Sequence, residues 1–458
     1  MKRLFFAATV ALLLAVPAVK AQKVDRDAFM QKIEKSDADI ADAKKTTKVA
    51  TWMNRGKIYY EAAVEPTKNI FIGMEEAMLQ LALGAPQSTA AVTIEATGAI
   101  YNTYVYNWLT AYLKDGKVIS WKETDQIYPD AIKVALAAYA KAYEMDASQA
   151  SRLKDGLEQI NNFCSQEGNV NIDIAEYKRA AKAYMTAYEA QMQPAYLAAG
   201  GKANPALLYY AGNLLTLDGA KDPQSFVKGA ELLDKALATN YTDEEGNIYY
   251  YLFHCYYGQA ATAEGEAKAA FLQQAKKALT DGIAKFPNNQ RIIEGFMTLY
   301  TREKGVGDPS ELVSLIKQAI DRDPKSVDMW SSLGLVYYTL KDYDNAIVVG
   351  EKVANELAPD VYDGIYRLGV YHAAKGDAIR EAMSSKEYTS QADYDTDLKN
   401  SNKAYAAAFP WLDKAYKLQP SNKPLVETLK QICFSLRDES PAMMEKYKEY
   451  NAIFQKMQ

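Results

Sequence analysis

Across residues 329–360 the stretch MWSSLGLVYYTLKDYDNAIVVGEKVANELAPD carries apolar side chains at helical spacing twice in succession. Trp330, Leu333, Gly334 and Tyr337 share one side of a first helix. After the polar turn LKDYD, Ala346, Gly350 and Val353 share one side of a second. Small residues facing large ones let two helices approach closely, so the pattern predicts a short helix hairpin.

The hairpin recurs. Upstream, Ile293, Phe296 and Tyr300 mark a first helix 37 residues before Trp330, and Leu312, Ile316, Ala319 and Pro324 mark its partner, with Asp308 as cap and Pro309 in the first turn. Downstream, Ile365, Leu368, Gly369 and His372 restate the first helix 35 residues on, and Ala408, Leu412, Ala415 and Pro420 the second after a delay. Fainter copies precede these. Leu208, Ala211, Gly212 and Leu215 pair with FVKGAELLDKAL, and a tyrosine-rich helix over 248–258 pairs with Ala275, Leu279, Gly282 and Pro287. Trp52, Arg55, Gly56 and Tyr59 have their partner far downstream in Ala135, Tyr139 and Ala142; Arg55 departs from an apolar slot. Helices around 153–160 and at Ala180, Tyr184 and Ala187 form a weaker pair.

This pattern resembles the tetratricopeptide repeat, a helix-turn-helix unit of about 34 residues; the usual closing proline is here Pro359, one residue late. The resemblance covers most of the chain, and residues 290–420 carry most of its specificity. It implies an all-α protein, a right-handed α-solenoid of helix pairs, each burying its apolar face against its neighbours. The expected organisation is an export signal over 1–21, an N-terminal unit over 22–147 with a long insertion at 61–130, and degenerate units over 148–289. Clear units over 290–420 follow, with an insertion at 376–403, and a capping helix pair over 421–458 closes the chain. Its last helix has Ser440 as cap, Pro441 in the first turn, and Tyr447, Tyr450, Phe454 and Met457 on one face.

Within the first insertion, Asp115-Gly116 lies between alternating apolar and aromatic residues and predicts a β-hairpin. The second insertion is polar and is expected to extend both helices of its pair, with DYDTDLKNSN at the tip.

The N-terminus reads as a cleavable signal peptide: basic Met1-Lys2-Arg3, an apolar run from Leu4 to Val16, and the small residue Ala21, after which cleavage is expected. The run is shorter than a membrane span, and no cysteine lies nearby to carry a lipid. The expected location is periplasmic or secreted, and not embedded in a membrane. Without residues 1–21, 50 Lys and Arg face 58 Asp and Glu, a net charge of −8. No basic stripe suited to nucleic acid appears. Cys164, Cys255 and Cys433 are odd in number and far apart, which is no disulfide framework; at least Cys255 and Cys433 read as small buried apolar side chains.

Candidate chemistry is sparse. With only His254 and His372, no His-rich metal site can be built, and His372 stands in an aromatic core slot. GVGDPS lacks the context of a phosphate loop, and the two Ser-x-x-Lys matches lack their companion motifs. Asp393, Asp395 and Asp397 alternate as calcium-loop carboxylates do, but Leu398 and Ala404 stand where such a loop needs Gly and Glu, so a solvated, helix-capping role is expected. No cofactor and no catalytic residue is indicated. An enzyme in the 61–130 insertion lacks candidate residues; a pocket there with convergent carboxylates is the feature that would revive it.

What remains is a recognition surface. In the resembled family the first helices line a concave groove, and the exposed positions are three before, one after and four after the glycine slot. Here they are Met53, Lys57 and Tyr60; Tyr209, Asn213 and Thr216; Glu294, Thr298 and Thr301; Ser331, Leu335 and Tyr338; and Tyr366, Val370 and Ala373. With Phe253 in the slot of the tyrosine-rich helix, Tyr250, His254 and Tyr257 join them. Tyrosine gives contact area at low entropic cost, which suits a protein or peptide. The groove lacks the Lys and Asn pairing by which some members hold a chain terminus. The expected function is a non-enzymatic exported scaffold or adaptor binding a protein or peptide along this groove, with homo-oligomerisation left open. The alternative is glycan binding, as helical-repeat proteins on Gram-negative surfaces do.

Overall fold

The computed structural model describes residues 24–303 and 305–457, so the predicted signal peptide lies outside the described residues. The chain divides into two compact units, Met1–Tyr241 and Thr242–Gln458. The fold is all-α with one small antiparallel sheet early in the chain, as the sequence indicates.

In the N-terminal unit the helices are α1 Arg26–Ala41, α2 Val49–Val64, α3 Glu76–Leu83, α4 Ala131–Met145, α5 Ala150–Ile172, α6 Tyr177–Gln191, α7 Pro194–Ala198, α8 Ala206–Asp218 and α9 Gln224–Ala238. α2 packs on α4 across the whole insertion, α5 on α6 and α8 on α9. α1, which no repeat pattern announced, covers α2. Its Asp37 takes the Arg55 guanidinium at 2.6 Å, and that guanidinium lies 4.6 Å from the Tyr59 ring centre. Arg55 therefore occupies an apolar slot without leaving its charge unpaired.

The insertion folds as α3 and four strands in sequential antiparallel order: β1 Ser88–Ile94, β2 Ala99–Val105, β3 Leu109–Lys114 and β4 Lys117–Glu123. The expected hairpin joins β3 to β4, with Asp115 (φ 52°) and Gly116 (φ 72°) both left-handed, as a two-residue turn of matching twist requires. The first two strands escape sequence recognition because β1 is exposed on nearly every residue and shows no alternation. Four successive β4 residues tie the sheet to α5 and α6. Ser120 donates to the Val170 carbonyl, Trp121 Nε1 to Glu167 at 3.1 Å, Lys122 pairs with Glu176, and Glu123 receives Arg179. Trp121 is fully buried among Leu109, Leu113, Val118 and Val170.

In the C-terminal unit the helices are α10 Asn247–Ala261, α11 Gly265–Lys285, α12 Gln290–Arg302, α13 Pro309–Arg322, α14 Val327–Thr339, α15 Tyr343–Lys352, α16 Tyr362–Ser385, α17 Gln391–Leu418, α18 Lys423–Ser435 and α19 Pro441–Lys456. α10 packs on α11, α14 on α15, α16 on α17 and α18 on α19. Asp308 forms a capping box with Glu311 at the start of α13, and Ser440 caps α19 through the Met443 amide. On α19, Tyr450 and Phe454 are buried, with Tyr447 and Met457 packed beside them.

Two devices repeat along the chain. The slot glycines admit bulk from the partner helix: a Cβ on Gly212 would lie 2.6 Å from Leu233, and one on Gly369 2.6 Å from Leu412. Trp52 and Trp330 each donate their indole N–H to the carbonyl six residues earlier, Thr46 at 2.9 Å and Pro324 at 3.0 Å, fastening the helix start to the preceding turn.

The second insertion lengthens α16 and α17, but its tip differs from expectation. Ser390 caps α17 through the Asp393 amide at 3.2 Å, so DYDTDLKNSN is helical and the turn lies earlier, around 386–390. Asp393 in the first turn complements the helix dipole, which favours starting the helix there.

Candidate functional site

The predicted groove residues separate by burial. In the N-terminal unit Tyr209 and Asn213 of α8 are each only 8% exposed. The Tyr209 ring lies 5.6 Å from Tyr210 and 5.8 Å from Tyr241. These two side chains belong to the packing of the unit and do not offer a surface to a partner. The spacing rule fails because α8 is buried on more than one side, from Ala206 through Leu215.

In the C-terminal unit Tyr250, His254, Tyr257, Thr298, Leu335, Tyr338, Tyr366 and Val370 are half-buried, leaving part of each side chain in solvent, whereas Ala373 is buried and Glu294 is exposed. On α10, His254 meets Tyr250 edge-on at 4.5 Å, and Phe253 stacks on Tyr257 at 5.4 Å with 14° between planes. Phe253 itself is 1% exposed. Tyr257 donates to Glu303 at 3.1 Å, and Arg291 lies 5.9 Å from the Tyr250 ring centre. Burial lowers the pKa of His254, which favours its neutral form.

The row continues on neighbouring helices. α10 touches α12, which carries Thr298, and α12 touches α14. On α14, Leu335 and Tyr338 are half-buried, and Tyr338 reaches Tyr371 of α16 at 5.4 Å. On α16, Tyr366 stacks on Tyr362 at 5.6 Å with 8° between planes, and Tyr366 and Val370 also support the core of the terminal helices. The surface is thus a chain of tyrosine rings anchored on one side to fixed neighbours, so little rotamer freedom remains to be lost on contact.

Other expectations resolve locally. All three cysteines are buried, and burial pushes the Cys164 thiol up to about 12. His372 is only half-buried; the core aromatic is Tyr371, 3% exposed, one position earlier. Asp393, Asp395 and Asp397 do not converge, because one helix carries them and each has its own partner: Ser390 at 2.8 Å, Gln391 at 2.8 Å and Lys386 at 2.6 Å. Among the described residues no three His, Cys, Asp or Glu side chains form a group able to hold a metal.

The N-terminal unit contains a site that no spacing announced. Residues of α2, α4, α5, α6, the end of β4 and the segment after it line a half-open cavity of about 220 Å³. Its buried end holds Glu123 and Glu167, whose side chains are 9% and 11% exposed. Arg179 bridges them: Nη2 lies 3.4 Å from Glu123 Oε2 and 3.5 Å from Glu167 Oε2, while Nη1 donates to the Glu123 carbonyl at 2.9 Å. Gln126 donates to Glu123 at 3.0 Å. Ala62, Ala63, Ile132, Phe163 and Ala183 supply apolar wall, with Tyr128 beside them. Burial raises the Glu123 carboxyl to about 7, Gln126 and Arg179 opposing, and burial raises Glu167 also. Two carboxylates converge here, the feature that would revive an enzyme in the insertion, but Arg179 spans both, so they form an ion-pair network shared with α5 and α6 and not a free acid–base pair within the insertion. One partner, Glu123, comes from the insertion, and the other two lie 44 and 56 residues on.

No protein-family model matches the chain, and no curated protein does. Solved structures resemble it at low identity. A TPR repeats protein from Bacteroides fragilis NCTC 9343 is 16% identical, with 59% of this chain and 97% of that one covered and a TM-score of 0.27. MamA MSR-1 is 17% identical, covering 44% and 97%, with a TM-score of 0.25. The TPR2AB-domain:pHSP90-complex of yeast Sti1 is 13% identical, covering 64% and 99%, with a TM-score of 0.19. At TM-scores of this size no functional argument rests on the likenesses.

Proposed function

We propose that the chain is a non-enzymatic scaffold, exported to the periplasm or beyond, that binds a protein or peptide partner through the first helices of its C-terminal unit. The observation that carries this reading is the row Tyr250, His254, Tyr257, Tyr338 and Tyr366, half-buried with part of each ring in solvent, on helices whose opposite faces are buried. Rings held by neighbouring rings present apolar area and hydroxyl groups at once, the combination that suits peptide recognition. Among the described residues no helix is long and apolar enough to cross a membrane. The part of the predicted groove contributed by Tyr209 and Asn213 drops out of the proposal because both are buried.

The test is affinity capture from cell envelope and culture supernatant with the chain from Gln22 onward, beside the Tyr338→Ala/Tyr366→Ala double variant. A protein retained by the first and lost by the folded second supports the scaffold reading. Retention of envelope polysaccharide with no protein replaces it with glycan binding.

A further inference from the structure

The cavity beneath β4 is independent of that surface and has a chemistry of its own. At its buried end two carboxylates share one guanidinium, and the distances of 3.4 and 3.5 Å exceed those of a tight charge-assisted bond. Trp121 and Gln126 add only neutral donors, at 3.1 and 3.0 Å. The other cations of the wall stand at the exposed end: Lys133 and Lys182, with side chains 61% and 68% exposed, both drawn to Asp130 at 3.8 and 3.1 Å. When both carboxylates are ionised they outnumber the one guanidinium in surroundings of low polarity, and an incoming ammonium that pairs with them favours that ionised state while an anion is repelled. Phe163 and Tyr128 place aromatic rings on the same wall, a second feature suited to a positive group. The volume, about 220 Å³, lies below the roughly 300–1,000 Å³ of ordinary ligand pockets and admits only a small molecule.

We propose that this cavity binds a small organic cation, a primary or secondary ammonium on a short apolar stem, with the Glu123 and Glu167 carboxylates as its acceptors and Phe163 and Tyr128 beside it. Ala62, Ala63, Ile132 and Ala183 receive the stem. Arg179 acts as a positioning residue, since its bonds to the Glu123 carbonyl and to both carboxylates set the spacing of the acceptors. The proposal names a binding site and requires no chemistry on the ligand.

The test is calorimetric titration of the full chain with n-butylammonium, n-butanol and butyrate, three probes of similar size and different charge. The expected result is saturable binding of n-butylammonium, with the alcohol and the acid at least about tenfold weaker. Glu123→Gln and Glu167→Gln each weaken the ammonium by at least about tenfold. Ala183→Leu, which fills the wall without removing a charge, abolishes binding and keeps the test decisive should either glutamine variant fail to fold. No saturable binding by the wild type, a preference for butyrate, or binding indifferent to Ala183→Leu overturns the proposal.

Discussion

The Glu123 carboxyl makes the stability of the N-terminal unit depend on pH in an unusual direction. Burial holds it at about 7 in the folded chain, against an ordinary value of 4.5. Between those two pH values the folded state keeps a proton that the unfolded state has released, so stability falls as pH rises through the interval. At about 1.4 kcal/mol per pH unit, the loss from this one group is about 3 kcal/mol, complete above neutral pH and absent below the unfolded value. Its side chain is only 9% exposed, so solvent screening takes little from that figure. Glu167 is raised by burial also and acts in the same sense. Glu123→Gln removes the titration while leaving an amide to accept from Arg179.

The assay is urea unfolding followed by tryptophan emission, to which Trp52, Trp108 and Trp121 contribute from this unit, at about pH 4.5 and about pH 8. The quantity of interest is wild type minus variant, in which titrating groups remote from Glu123 cancel. It should fall by about 3 kcal/mol from the lower pH to the higher, or by roughly 6–12 °C in a thermal experiment on a domain of this size. A difference that stays constant to within about 0.5 kcal/mol would refute the reasoning, and would mean that Arg179 neutralises Glu123 well enough for it to ionise as an exposed glutamate does.

Three further outcomes follow from the packing. Gly369→Leu should destabilise the C-terminal unit by about 1–3 kcal/mol or more in urea titration, because its Cβ would lie 2.6 Å from the Leu412 side chain and 3.2 Å from the Leu412 backbone nitrogen. Gly334→Leu should cost less, since its Cβ first meets the far end of the Tyr371 side chain at 3.1 Å and no backbone atom; the reverse order would contradict the assigned slots. Asp308→Ala should lower stability by about 1 kcal/mol through loss of the capping box, with Asp308→Asn retaining most of it, measured by hydrogen exchange of the first α13 amides. Trp330→Phe and Trp52→Phe should each cost about 0.5–1.5 kcal/mol by removing one indole bond, and the two losses should add, being in separate units; a cost near zero for both would show the bond to be incidental.

The helix pairs were legible because their signal is local. A slot such as Trp330, Leu333, Gly334 and Tyr337 repeats at 3 and 4 residues, which is what one face of a helix requires. The β3–β4 turn was legible for the same reason: Asp115-Gly116 suits left-handed backbone whatever surrounds it. Caps at Asp308 and Ser440 belong with these. By contrast α1, β1 and β2 lack periodicity strong enough to show. α1 buries only Ile33 and Ser36, and β1 stays almost wholly in solvent.

By itself the sequence determined the repeating helix pair and the inserted hairpin, since both rest on contacts between residues near each other in the chain. Exposure was another matter. Tyr209 and Tyr250 occupy equivalent slots by spacing, yet one is buried and the other only partly so, because neighbours distant in sequence decide how much of each helix is covered. The cavity was wholly a product of tertiary structure. Glu123 on the last residue of β4, Glu167 on α5 and Arg179 on α6 have no common period, and they meet only because the sheet is fastened to that helix pair by Ser120, Trp121 and Lys122. A periodic pattern records which side of an element is apolar; it holds no record of which distant charges the folded chain brings within 3.5 Å of each other.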